Sequence, residues 1–111
     1  WSGREIRMMD LAQFKRSLGD SVPPPDLNMA LRALWFDANG RDESAARAAT
    51  ANSIACGRVR AYLHRKAGDE HATRVAYWRC GETVPTGSLA AEWDQLVQIF
   101  LVEIVVAMAY L

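Results

Sequence analysis

Cys56, Cys80, His64 and His71 are the residues whose types could hold a metal ion, and their spacing argues against a shared site. Residues 54–67 read as a helix, and a glycine at 68 folds the next helix back. Each cysteine then lies twelve residues from the turn, at the open end of a hairpin. His64 and His71 stand beside the turn itself. The eight residues between Cys56 and His64 span about 12 Å of helix, far beyond one tetrahedral shell. No metal and no cofactor is expected. The cysteines read as free thiols, with a Cys56–Cys80 disulfide as the alternative, which needs close Cα approach and an oxidising compartment.

Catalytic groupings are equally thin. Neither histidine has a serine or cysteine nucleophile and a third orienting group near it, so no triad is visible. Glu92 and Asp94 are two residues apart and project from different sides of a helix, poor placement for paired acid–base work. His64, His71 and Tyr62 form the one plausible nucleus of a small enzyme or ligand-binding site. Arg58, Tyr62 and Arg65 share a helical face, and Arg74 stands one turn before Trp78. Through Arg58, Arg65 and Arg74 such a pattern can hold phosphates and stack bases, or it can brace the hairpin by cation–π contact. Thirteen basic and thirteen acidic residues leave a formal net charge of +0, which favours the brace and no nucleic-acid partner.

The elements that must position these residues are marked by caps and stops. Asp10 opens a helix carrying Leu11, Phe14 and Leu18, and Gly19 ends it. Pro23 to Pro25 form a stiff connector. Asp26 is expected to cap a helix with Leu27, Ala30, Leu31, Leu34 and Ala38 on one face, stopped by Gly40. Asp42 opens an alanine-rich third helix. Ser53 caps residues 54–67, Asp69 caps the fifth helix, and Ser88 caps a last helix that runs toward the C-terminus. No alternating run with hairpin chemistry occurs, so the expected fold is all-α, an array of five to six helices. At 111 residues, 50% apolar and 23% charged, this is one domain. It is expected over residues 8–111, with 1–7 an unstructured or extraneous start. The absence of an apolar leader points to a cytoplasmic protein.

Asp42-Glu-Ser-Ala-Ala-Arg-Ala-Ala matches Asp69-Glu-His-Ala-Thr-Arg-Val-Ala at five of eight positions. Each copy follows a glycine-terminated helix, so the pattern reads as a repeated helical hairpin. It resembles a shortened tetratricopeptide-type unit, which implies two such hairpins with a long C-terminal helix beside them. Leu34-Trp-Phe-Asp-Ala-Asn-Gly, Ala61-Tyr-Leu-His-Arg-Lys-Ala-Gly-Asp and Pro85-Thr-Gly-Ser-Leu-Ala-Ala-Glu-Trp also resemble stretches of a group of small bacterial proteins of unassigned activity. Where that group tends to place His, Trp and Tyr, this chain has Ala46, Arg60, Val75 and Ala76. A divergent or engineered member would read this way, and no site is carried over.

The last helix carries two apolar stripes. Leu89, Trp93, Leu96, Phe100 and Ile104 can close the core. Ile99, Val102, Val106 and Tyr110 make a second stripe with no obvious cover. The apolar run is short for a bilayer and interrupted by Gln98 and Glu103, so no membrane span is expected. The expected function is non-enzymatic: a protein-interaction module, with a homodimer as one form of it, anchored by Ile99, Val102, Val106, Met108 and Tyr110. Trp35 or Phe36 would join them, because two adjacent aromatics are not expected to face inward together.

Overall fold

The computed structural model describes residues 9–109, apart from the side chains of residues 105 and 107–109. Its six helices are α1 (Leu11–Ser17), α2 (Met29–Ala38), α3 (Asp42–Ala48), α4 (Ile54–Ala67), α5 (Glu70–Arg79) and α6 (Leu89–Ala109). No strand occurs among the described residues, and the array is all-α. The expected start at residues 1–7 lies outside the described part.

Local chemistry explains most boundaries. Asp10 accepts from the Gln13 amide while the Gln13 side chain accepts from the Asp10 amide, a complete capping box. Ser53, Asp69 and Ser88 accept from the amides of Cys56, Ala72 and Ala91. The α2–α3 and α4–α5 turns close alike. Gly40 (φ +72°) and Gly68 (φ +81°) adopt left-handed backbone after α2 and α4. The amides that follow, at Arg41 and Asp69, reach back to the carbonyls of Phe36 and His64.

Three expected boundaries are corrected. The α2 cap is Asn28, which accepts from the Leu31 amide, not Asp26, because Leu27 is drawn into the core ahead of the helix. Gly19 lies beyond the α1 C-cap, which is Leu18. Asp42 is the first residue of α3, which begins after Arg41 with no side-chain cap.

That last shift changes the meaning of the internal similarity. Asp42 is the first residue inside α3, whereas Asp69 is the cap outside α5. Counted from the helix starts, the fourth residue is buried in both, Ala45 in α3 and Thr73 in α5, and so are the residues four further on, Ala49 at the C-cap of α3 and Tyr77 in α5. The structural register of the two hairpins is therefore one residue off the register of matching letters. Packing follows the helix start, since the 3.6-residue period fixes which positions face the partner.

The core forms where α2 is enclosed. Ala30, Leu31, Ala33, Leu34 and Trp35 are buried, interrupted only by the half-buried Arg32, so most of the α2 surface is covered, with α3, α4 and α6 against it. From α6 come Trp93, Leu96, Val97, Phe100 and Leu101, and from α1 Phe14, whose ring centroid lies 5.7 Å from that of Trp93. Buried indole N–H groups are satisfied: Trp35 donates to Ser17 Oγ at 3.1 Å and Trp93 to the Leu34 carbonyl at 3.0 Å.

Candidate functional site

Helix α4 presents three different faces, and they sort the chain's polar residues. Cys56, Val59 and Tyr62 face the core. Arg58 and Arg65 face α6, where they meet Glu92. Gly57, Arg60 and His64, at i, i+3 and i+7, line an open groove against α5.

Glu92 is the buried hub, with its carboxylate side chain 1% exposed. Its Oε1 accepts from Arg65 Nη1 at 2.7 Å. Arg58 Nη1 lies 2.7 Å from Oε2, a second ion pair on the same carboxylate. The Tyr77 hydroxyl donates to the same oxygen. Arg58 also pairs with Glu82 and lies 4.6 Å above the Tyr77 ring centroid. Burial works against the Arg58 charge, but the hydrogen-bonding and Coulombic pull of Glu92, with Tyr77 and Glu82, holds its pKa above the ordinary value.

Asp37 is a second buried carboxylate, 4% exposed, near the end of α2. It accepts from the Tyr62 hydroxyl at 3.1 Å and from Lys66 Nζ at 2.8 Å. Burial, and then the Asp37 charge, push the Tyr62 pKa up. Burial and the hydrogen bond to Glu92 do the same for Tyr77, against an opposing pull from Arg58. The two carboxylates fasten α2 to α4 and α6 to the α4–α5 hairpin.

These bonds separate residues that the sequence grouped together. Tyr62 faces the core and Asp37, while His64 and His71 line the groove, so the three do not converge. Arg58 and Arg65 are spent on Glu92 and are only 14% and 18% exposed, leaving Arg74 on the surface without them. The cation–π contact is Arg58 over Tyr77, a ring outside the grouping read from the sequence, while Tyr62 turns to Asp37. Cys56 and Cys80 are both free. Cys56 turns toward the Ala48 carbonyl, and it is Gly57 that faces Cys80, where an added Cβ would lie 3.9 Å from the sulfur. Among the described residues no cluster of three metal-ligating side chains occurs.

The expected contact surface divides as well. Trp35 is fully buried and is removed from it, because its indole fills the core and bonds to Ser17. Phe36 packs edge-on against Trp35 at 5.5 Å and is half-buried, so both aromatics serve the core. On α6, Trp93, Leu96 and Phe100 are buried, with Leu89 and Ile104 packed against them. On the opposite side Ile99, Val102 and Val106 are 51%, 61% and 50% exposed. The Met108 side chain and Tyr110 lie outside the described residues. No described helix is long and apolar enough to cross a membrane.

Sequence reasoning missed Asp37, the burial of Glu92 among its partners, and the placing of Arg60 and Arg79 on one groove. Asp37 had a signal, a lone acid in an apolar run expected to be buried. Comparison with family models, with curated proteins and with solved structures returned no match.

Proposed function

We propose that this chain is a non-enzymatic protein-interaction module that self-associates through the distal half of α6. The observation that carries this reading is the exposed stripe of Ile99, Val102 and Val106 on a helix whose other face is already in the core. Their spacing of three and then four residues gives a continuous seam along one side of a helix. Burying it removes large aliphatic side chains from water at about 25 cal/mol per Å². A second copy of α6 offers the same seam, and a two-fold pairing satisfies both at once. The resemblance of the two hairpins to tetratricopeptide-type units supports a binding role rather than catalysis.

The test is solution mass by light scattering over a range of concentrations. The native chain shifts toward twice its monomer mass as concentration rises, and Val102→Glu stays monomeric with unchanged helicity. A native chain that remains monomeric throughout overturns self-association.

A further inference from the structure

A second surface, independent of α6, lies in the groove between α4 and α5. Its volume is about 700 Å³, within the range of sites that enclose small molecules. Four cationic or ionisable nitrogen side chains line it: Arg60 and His64 from α4, His71 and Arg79 from α5. No carboxylate lines it. This is unusual within the hairpin, whose other α4 cations are neutralised: Arg58 and Arg65 by Glu92, Lys66 by Asp37. Among the described residues Arg60 and Arg79 join no ion pair.

Arg60 is also held in place. Its Nη1 donates to the carbonyls of Ala49 and Ala51 at 2.5 and 3.1 Å. Those bonds fix the guanidinium plane and leave Nη2 beside Gly57, where an added Cβ would stand 3.5 Å from it. An immobilised guanidinium whose charge meets only neutral carbonyls is ready to take an anion at small entropic cost. Beside the charges the groove wall is apolar, formed by Ala72, Val75 and Ala76 of α5.

We propose that the α4–α5 groove binds a small amphiphilic anion, its phosphate or carboxylate head at Arg60 and Arg79 and its apolar body along Ala72, Val75 and Ala76. Charge complementarity selects the head, and the short side chains of the α5 wall leave room for the body.

The experiment is a titration of the full chain followed by backbone amide chemical shifts, with hexyl phosphate, hexanoate, inorganic phosphate and hexanol as probes. Saturable shifts confined to Gly57, Ala72, Ala76 and Cys80 are expected with hexyl phosphate or hexanoate, and the stronger of the two identifies the head. Inorganic phosphate and hexanol bind more weakly, each lacking one half of the recognition. Arg79→Glu lowers the affinity about tenfold or more. Lys15→Glu, at the ammonium paired with Asp94, leaves it unchanged. Shifts scattered over all basic residues, an equal loss in Lys15→Glu, or no saturation at millimolar probe overturn the proposal. Binding of an acidic helical peptide at these amides, with none of hexyl phosphate or hexanoate, overturns it in favour of a protein ligand.

Discussion

Glu92 of α6 and Arg65 of α4 sit 2.7 Å apart around a carboxylate that is 1% exposed, and Arg58 completes the arrangement from the other side. A buried ion of this kind fastens helices only while its partners are present. Taking one partner away leaves charge in a poorly solvated place.

Glu92→Leu is therefore expected to cost about 3 kcal/mol in urea unfolding, the lower part of the range for breaking a buried pair, because both guanidinium groups keep some solvent. Replacing Arg58 and Arg65 by Met together with Glu92→Leu recovers most of that loss, since no ion is then stranded. Lys15→Gln, which breaks the exposed pair with Asp94, changes stability by less than about 1 kcal/mol.

Tyr62 and Tyr77 give the fold an alkaline limit. Their folded pKa values lie above the ordinary 10.0. The neutral hydroxyls, buried and donating to Asp37 and Glu92, therefore stabilise the fold fully below pH 10, and this contribution is lost as pH rises through the folded values. The urea midpoint is expected to fall steadily above pH 10. Tyr62→Phe and Tyr77→Phe lower the midpoint at neutral pH and flatten its alkaline decline. A midpoint that declines equally in the native chain and the double variant would refute the assignment.

Gly68→Ala places a Cβ on backbone at φ +81°, a left-handed conformation costing roughly 1–2 kcal/mol for an L-residue. Nothing lies within 4 Å of that Cβ, so the loss is conformational and steric relief elsewhere cannot restore it. Thermal melts of Gly68→Ala and Gly68→Asn separate the two, with Asn closer to the native chain.

Two neighbours on α6 separate core from surface. Phe100, 3% exposed, loses about 3–5 kcal/mol when truncated to alanine. Ile99→Ala, at a side chain 51% exposed, changes monomer stability by about 0.5 kcal/mol or less but weakens self-association in sedimentation equilibrium. A loss at Ile99 as large as that at Phe100, with no change in mass, would place Ile99 in the core instead.

The sequence by itself determined the elements. Periodicity and punctuation marked an array of five to six helices, and Asp10, Ser53, Asp69, Ser88, Gly40 and Gly68 were legible because caps and left-handed turns depend on atoms within a few residues of chain. The buried stripe of Trp93, Leu96 and Phe100 was legible for the same reason, being a property of one helix. Tertiary structure decided which partner each polar side chain of α4 meets. Residues 58, 62 and 65 share a face in sequence, yet α6 claims Arg58 and Arg65 through Glu92 while α2 claims Tyr62 through Asp37. Those choices depend on where distant helices stand, a distance in space that spacing along the chain does not encode. The one-residue offset between the Asp42 and Asp69 repeats has the same origin. Matching letters align composition, whereas burial aligns helix starts, and only the packed hairpins show which of the two prevails.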